Sequence, residues 1–141
     1  MKTHLEFRSD QFAAYADDGE EPLDPTLWGK CLAEFLRDYP PGEGFETAKP
    51  TGDSQGWVVP IVNKEFPLSI VCANYVEQPD GYLCIIYPDT PTVRKFLRDV
   101  DTRPMVSALQ EAVDRLVSED MGVHEKQWFT REEFRESPPR R

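Results

Sequence analysis

The stretch LSIVCANYVEQPDGYLCIIY, residues 68–87, decides the fold of this chain. Its two apolar runs, Leu68 to Val76 and Tyr82 to Tyr87, are rich in the β-branched and aromatic residues that strands prefer. Between them lies Gln78-Pro79-Asp80-Gly81, a sequence typical of a tight turn. The stretch therefore predicts a β-hairpin at the centre of the protein.

The predicted hairpin is apolar on both of its faces. Ile70 and Cys72 point to one side of their strand, whereas Val71 and Ala73 point to the other. A sheet with one solvated face alternates apolar and polar residues, so both faces of this hairpin need a cover. We favour two helices on opposite faces. The alternative is a second face that lies against another subunit or a target.

The position of the turn also predicts where two cysteines lie. With a short turn near Asp80, Cys72 pairs close to Tyr87 or Pro88, and Cys84 lies about 10–13 Å further along its strand. A disulfide requires Cα atoms within about 7 Å, so both thiols are predicted to be reduced and packed in the core. Together with Cys31 they form an odd, sparse set that is typical of a reducing compartment, and we expect a cytoplasmic protein.

Upstream of the hairpin the sequence predicts strands and one helix. Leu5 to Arg8 alternates apolar and polar residues, and residues 45–49 and 57–62 have the composition of strands. Asp24 as N-cap and Pro25 in the first turn begin a helix over residues 25–38. Its apolar residues recur at spacings of three and four, which places them on one face.

Downstream of the hairpin the sequence predicts three helices and a strand. A short helix follows Thr90-Pro91, because four apolar residues have the i, i+3, i+4, i+7 spacing: Val93, Phe96, Leu97 and Val100. Thr102 can cap a longer helix over residues 103–119. A strand over residues 123–129 precedes a terminal helix, which the capping-box sequence TREE at 130–133 begins.

This order of elements is typical of an α+β fold. We predict a largely antiparallel sheet of four to six strands with two main helices packed on it. One domain over residues 1–136 accommodates these elements, and residues 137–141 are expected to be a disordered tail. No stretch approaches the roughly 20 apolar residues that a membrane helix needs.

The chain is strongly acidic. Asp plus Glu number 26 against 16 Lys plus Arg, which gives a formal net charge of -10. Such a field repels nucleic acid and anionic membranes and attracts basic surfaces. We therefore expect a basic protein partner, and direct contact with neither nucleic acid nor membrane. The alternative is that the acidity only keeps the protein soluble.

The acidic residues are densest between residues 9 and 24, where six acids occur without a base. Aromatic side chains among them offer apolar anchors beside the negative charge, which suits a basic groove on a partner. The alternative is a solvated acidic loop. The predicted partner-binding residues are Asp10, Phe12, Tyr15, Asp17, Asp18, Glu20 and Glu21.

One basic cluster contrasts with this acidity. Arg94, Lys95 and Arg98 fall within the predicted short helix, where Arg94 and Arg98 share a face because they are four residues apart. A phosphate or an acidic partner could bind there. The alternative is a solvated helix face balanced by Asp99 and Asp101.

The sequence holds no recognisable catalytic or metal-binding motif, and no cofactor or metal is predicted. Its two histidines are His4, expected in a mobile terminus, and His124, at the start of a late strand. A small enzyme with a site around His124, Glu125 and Trp128 is an alternative to a binding protein.

Four segments carry a resemblance to known sequences: Gly56-Trp57-Val58-Val59-Pro60, Phe66-Pro67-Leu68, Asp80-Gly81-Tyr82-Leu83 and WFTREEF at 128–134. Over residues 25–135 the chain resembles small acidic hypothetical proteins of proteobacteria, a resemblance that implies no activity. In size, acidity and order of elements it is also similar to bacterial toxin-immunity proteins. That similarity implies a non-catalytic protein that neutralises a basic partner. A homodimeric structural domain is the third alternative.

Overall fold

The computed structural model describes residues 1–9, 30–38, 45–53, 56–75, 78–120 and 123–136. Its elements are the strands β1 (Lys2–Ser9), β2 (Thr51–Asp53), β3 (Gly56–Ile61), β4 (Leu68–Tyr75), β5 (Gln78–Tyr87), β6 (Thr92–Lys95), β7 (Arg98–Asp101) and β8 (Val123–Thr130), and the helices α1 (Lys30–Asp38), α2 (Arg103–Asp120) and α3 (Arg131–Glu136). Six strands form one sheet in the order β2-β3-β4-β5-β1-β8, and β6 with β7 forms a second. The α+β class and the antiparallel sheet are confirmed, whereas the second sheet was not predicted.

The central β4–β5 hairpin is confirmed, but its register differs from the prediction. Tyr75 pairs with Gln78 and Asn74 pairs with Tyr82, so three residues of β5 are accommodated in a bulge. The Asn74 side chain stabilises this bulge by donating a hydrogen bond of 2.8 Å to the Gly81 carbonyl oxygen. The predicted turn sequence at 78–81 therefore belongs to a strand, because the irregularity occurs within the sheet rather than at its end.

This register places Cys72 directly opposite Cys84. The predicted separation of the two residues along the strands is therefore wrong, although both are free, buried thiols in the core. The error came from the position of the predicted turn, because Tyr75 already pairs with Gln78, ahead of Asp80. The three bulged residues recover only part of the resulting difference in register.

Helices α1 and α2 both pack on the same face of the large sheet, so the prediction of helices on opposite faces is wrong. Residues from both helices belong to one core cluster with the sheet face that carries Leu5, Cys72 and Cys84. Val71 and Leu83 are buried on the other face. The cluster contains Leu5, Phe7, Leu32, Ala33, Leu36, Val59, Ile61, Phe66, Leu68, Ile70, Cys72, Tyr82, Cys84, Ile86, Val100, Val106, Leu109, Val113 and Val117.

Helix α3 packs on the opposite face, against β1 and β8. The Phe134 ring lies 4.9 Å from the His4 ring and 6.1 Å from the Phe129 ring, measured between centroids. The predicted capping box begins this helix: Thr130 N donates to Glu133 Oε1 at 2.8 Å, and Glu133 N donates to Thr130 Oγ1 at 3.1 Å.

Residues 92–101 form the β6–β7 hairpin, so the predicted short helix is wrong. Val93 pairs with Val100, and both belong to the side of the hairpin that meets the core. Their spacing of seven fits a helix, but it equally fits two short strands joined by a two-residue turn. The base of the hairpin is closed by Thr102, whose N donates to the Pro91 carbonyl oxygen at 2.9 Å and whose hydroxyl donates to that of Thr90.

Helix α2 begins at the predicted position, next to this closure. The Thr102 carbonyl oxygen accepts the first helical hydrogen bond, from Val106 N at 2.9 Å. The Asp101 carboxylate accepts a hydrogen bond of 3.0 Å from Arg103 N, so Asp101 supplies the capping side chain that was expected of Thr102. In the described residues, no helix has the length and apolar character that crossing a bilayer requires.

Upstream, one strand prediction needs correction, whereas the predicted helix is present over its described residues. Residues 45–49 contribute only the isolated bridge between Thr47 and Ile61, whereas the strand β2 forms a few residues later. The predicted helix over 25–38 is described from Lys30 onward. The segments 10–29 and 137–141 lie outside the described residues.

Candidate functional site

The β6–β7 hairpin ends in two large apolar residues that are almost fully exposed. Phe96 exposes 89% of its surface and Leu97 exposes 92%. The two residues form the turn between Lys95 and Arg98, which pair across the hairpin. Two-residue hairpin turns normally contain Asn, Asp or Gly, because their backbone requires a φ above zero. A Phe-Leu turn therefore raises the conformational free energy of the hairpin, and solvation of the surface alone does not require these two residues.

The backbone of Phe96 shows this cost directly. Its φ is 58°, in the left-handed region that bulky residues rarely adopt. Residues held in such conformations cluster at functional sites. Backbone strain and exposed apolar surface thus coincide at one position. We call Phe96 and Leu97 the hairpin tip, and it is the best-supported contact surface among the described residues.

The predicted anion-binding residues surround the hairpin tip, but not on a shared helical face. Arg94 pairs with Asp99 and Lys95 pairs with Arg98, so Arg94 and Arg98 point to opposite sides of the hairpin. Arg94 Nη1 lies 3.3 Å from Asp99 Oδ1. The prediction that Arg94 and Arg98 lie side by side is wrong, because the chain reverses direction between them.

A groove of about 330 Å³ lies between the hairpin and the loop at residues 63–67. Lys95 Nζ donates a hydrogen bond of 3.0 Å to the Lys64 carbonyl oxygen, which joins the two segments. Asn63 Nδ2 donates a hydrogen bond of 2.9 Å to the Phe66 carbonyl oxygen and so stabilises the loop. The groove lining combines apolar and charged residues: Asn63, Lys64, Glu65, Phe66, Pro67, Val93, Arg94 and Lys95.

A second cavity, of about 270 Å³, lies where the pairing of β1 with β8 is irregular. Between the pairs Glu6–Gln127 and Arg8–His124, β8 holds one residue more than β1, which defines a β-bulge. Glu125, in this bulge, has a φ of 54°. The bulge opens the sheet at the residues that line the cavity: Glu6, Phe7, Arg8, Tyr75, Gly81, Glu125, Lys126 and Gln127.

The floor of this bulge cavity carries a buried carboxylate. Glu6 is buried, and one of its oxygens accepts a hydrogen bond from the Tyr75 hydroxyl. Arg8 Nη1 lies 3.4 Å from Glu125 Oε2 nearby. A carboxylate beside a phenol can accept and return a proton or bind a hydrogen-bond donor on a ligand. Glu6 was not predicted from the sequence. The alternation of residues in β1 indicates only a polar face, and no residue pattern there indicates the bulge in β8.

The three residues of the hypothetical enzyme site do not line one cavity together. His124 is exposed and is not part of the lining of the bulge cavity, whereas Glu125 is. Trp128 pairs with Leu5 and so belongs to the sheet face that α2 covers. Its Nε1 donates a hydrogen bond of 2.8 Å to Asp114 Oδ1 on α2. Glu6, which is buried and lines the cavity, is therefore the residue on which a ligand site in this region would depend.

The other histidine, His4, is buried in the sheet, which contradicts its assignment to a mobile terminus. β1 is hydrogen-bonded on both sides, to β5 and to β8. Thr3 Oγ1 lies 3.0 Å from His4 Nδ1. Burial lowers the pKa of His4 below its usual value, and the nearby Asp89 opposes this effect only in part. His4 is therefore a neutral structural residue rather than an exposed acid or base.

The predicted acidic surface, from Asp10 to Glu21, lies outside the described residues. Within the described part of the chain, no three His, Cys, Asp or Glu side chains are grouped as a metal site requires. Comparison with known proteins found no matching family model, no matching curated protein and no matching solved structure.

Proposed function

We propose that this protein is a non-catalytic binding protein that contacts a partner protein through the hairpin tip. The observation that carries this proposal is the near-complete exposure of Phe96 and Leu97 in a turn where Phe96 has a φ of 58°. A turn of Asn and Gly would form the same hairpin at lower cost, so a role in contact accounts for the apolar pair.

The hairpin presents its tip in a defined position. Val100 is buried in the core, and Thr102 closes the base with its hydrogen bonds to Pro91 and Thr90. A contact residue that is already ordered loses little conformational entropy on binding. Burying one large apolar side chain contributes roughly 1.5–3 kcal/mol, which is the range of an interface hot spot.

A partner protein suits this surface better than a membrane does. Two apolar side chains bury little area in a bilayer, and even a single myristoyl chain gives only marginal membrane binding. The net charge of -10 opposes approach to anionic lipids. In addition, Glu65 and Asp99 lie among the basic residues near the tip, and they would be repelled by the same lipids.

Co-purification with three forms of the protein tests the proposal. The double variant Phe96→Asn/Leu97→Gly retains a hairpin turn but removes the apolar tip. Val62→Ser is the matched control, because Val62 is an exposed apolar residue (56%) outside the hairpin. We expect the wild type and the control to recover the same partner, and the double variant to recover about tenfold less or lower.

Equal recovery by all three forms would reject the hairpin tip as the contact surface. Vesicles of anionic lipid, tested with the same three forms, address the membrane alternative. Binding of the wild type and the control but not of the double variant to vesicles would replace the protein partner with a lipid surface. Sedimentation of the purified protein tests the homodimer: a concentration-dependent dimer that the double variant lacks would make the partner a second copy.

A second candidate, an inhibitor or immunity protein for a basic toxin, is favoured by the net charge and by the six acids between residues 9 and 24. Changing Asp17, Asp18, Glu20 and Glu21 to Asn or Gln separates the two candidates. Weaker, less salt-sensitive capture with those changes, and unchanged capture with the tip variant, would select the basic partner. A cytoplasmic location is part of either proposal, since Cys72 and Cys84 face each other as free thiols.

A small enzyme is the remaining candidate, with Glu6 in the bulge cavity as its acid or base. The observation in its favour is the contact of a buried carboxylate with the Tyr75 hydroxyl at the edge of a cavity. Glu6→Gln retains the shape of the side chain and removes its charge. If a substrate is found, turnover that Glu6→Gln retains in full would eliminate this role.

A further inference from the structure

We propose that the groove between the β6–β7 hairpin and residues 63–67 binds an acidic peptide segment with an apolar anchor residue. This inference rests on the proposed function, since it identifies the chemistry of the partner segment that the hairpin contacts. The groove adjoins the hairpin tip, because Val93, Arg94 and Lys95 line it and Phe96 follows directly in the chain.

The floor of the groove fits an apolar side chain. Phe66 is buried and belongs to the core, and Val93 packs against the same core. Pro67 adds a rigid apolar surface that is itself exposed. A volume of about 330 Å³ exceeds that of any single side chain, so the groove can also hold part of the backbone next to an anchor.

The charges around the groove favour a peptide segment of negative charge. Lys64 and Lys95 contribute two positive charges to the lining and Glu65 contributes one negative charge, whereas the charge of Arg94 is paired with that of Asp99 at 3.3 Å. The local charge is therefore positive, although the chain as a whole carries -10. A positive groove in an acidic protein attracts carboxylates locally, while the overall field repels polyanions that extend over the rest of the surface.

Because only the groove is positive and the rest of the protein is negative, a short acidic peptide is favoured over a nucleic acid. A nucleic acid carries regularly spaced phosphates and would meet the negative field beyond the groove. A peptide segment places a few carboxylates at the rim and its anchor on the apolar floor. The Lys95 ammonium group is held by its hydrogen bond to the Lys64 carbonyl oxygen, so one of the cations is positioned before binding.

Fluorescence anisotropy with labelled synthetic peptides tests the inference directly. The probe EDLLDE combines acidic residues with leucine anchors, KRLLKR reverses the charges, and EDSSDE removes the anchors. We expect EDLLDE to bind the wild type and the other two peptides to bind at least about tenfold more weakly. A labelled single-stranded oligonucleotide completes the set, and tighter binding of the oligonucleotide than of EDLLDE would overturn the assignment to a peptide.

Two charge-reversal variants test the position of the site. Lys64→Glu/Arg94→Glu reverses two exposed cations of the groove, and Arg115→Glu is the control, since Arg115 is an exposed cation far along α2. We expect the groove variant to bind EDLLDE about tenfold more weakly or worse, and the control to bind it like the wild type. Circular dichroism establishes that both variants are folded.

Absence of EDLLDE binding, equal binding of KRLLKR, or full affinity in the groove variant would each overturn the inference. These outcomes differ from a failure of the proposed function, because the peptide assay needs no native partner. If the tip variant loses its partner while the peptide does not bind, the hairpin tip stands and the groove is rejected. If the tip variant keeps its partner, the proposed function is rejected whatever the peptides do.

Discussion

Lys95 lies directly opposite Arg98 in the β6–β7 hairpin, and only Phe96 and Leu97 separate the two cations along the chain. Like charges at directly opposed positions destabilise a strand pair, and the left-handed backbone of Phe96 adds a second cost. The hairpin is therefore destabilised at its tip, where Phe96 and Leu97 are exposed.

Replacing the tip should stabilise the protein. Phe96→Asn/Leu97→Gly introduces residues that tolerate a positive φ, and we expect the free energy of unfolding to rise by about 1 kcal/mol. Urea denaturation followed by circular dichroism measures this change. The control Val62→Ser should change the free energy by less than about 0.5 kcal/mol, because its side chain is exposed. A double variant with a lower free energy of unfolding than the wild type would contradict the assignment of backbone strain to Phe96.

The closure of the hairpin base should depend on the Thr102 hydroxyl. Thr102 is buried, and its hydroxyl donates to the Thr90 carbonyl oxygen. Thr102→Val preserves the shape of the side chain and removes the hydrogen-bond donor. We therefore expect the free energy of unfolding to fall by about 1–2 kcal/mol. Amide hydrogen exchange over residues 92–101 should accelerate as well. The matched control is Thr92→Val, at an exposed position of β6, and a similar loss there would contradict the assigned role.

The protein should lose stability as the pH falls through the ordinary range of histidine. Burial lowers the pKa of His4 in the folded protein, so the unfolded chain binds a proton at a pH where the folded protein does not. The stabilising effect is complete above about pH 6.5, the pKa of an unperturbed histidine, and it declines below that value. Urea denaturation at about pH 7.5 and about pH 5.5 measures the decline.

Substitution of His4 isolates this effect. His4→Gln should reduce the loss of stability between the two pH values, because the variant lacks the buried group whose pKa is lowered. An identical pH dependence in the His4 variant and the wild type would contradict the assignment. Carboxylates with lowered pKa values, such as Asp114 and Glu133, titrate further into the acid range and are common to both proteins.

The protein should also lose stability in the alkaline range. The pKa of Cys72 is raised by the adjacent Cys84 thiol and by burial. The folded protein therefore retains the thiol proton of Cys72 at a pH where the unfolded chain releases it. The stabilising effect is complete below the ordinary thiol pKa of about 8.5 and is lost as the pH rises above it. Cys72→Ala should reduce the difference in unfolding free energy between about pH 7.5 and about pH 9.5. A variant with the same difference as the wild type would contradict this account.

Local sequence signals predicted the elements that depend on nearby residues. The helix α2, the capping box at Thr130 and Glu133, and the two strands of the central hairpin lie where residue periodicity and capping chemistry indicate. The prediction of a short helix was wrong because the spacing of Val93 and Val100 fits both a helix and two short paired strands. Packing of both valines on the core, not local propensity, selects the hairpin.

Pairing between distant segments could not be read from local signals. The bulge between Asn74 and Tyr75 changes the partner of Cys72, and the bulge beside Glu125 opens the cavity at Glu6. Both depend on how two strands are aligned, and strand patterning is compatible with several alignments. The hairpin tip was likewise hidden, because an apolar pair in a short amphipathic segment predicts burial rather than exposure.

By itself, the sequence determined the α+β class, the antiparallel hairpin over 68–87, the helix after Thr102 and the excess of negative charge, because these follow from residues close together in the chain. The tertiary structure alone decided that α1 and α2 share one sheet face, that Cys72 faces Cys84, and that Phe96 and Leu97 are exposed beside a positive groove. Each of these depends on contacts between segments far apart in the chain, whose free energy no local pattern of residues encodes.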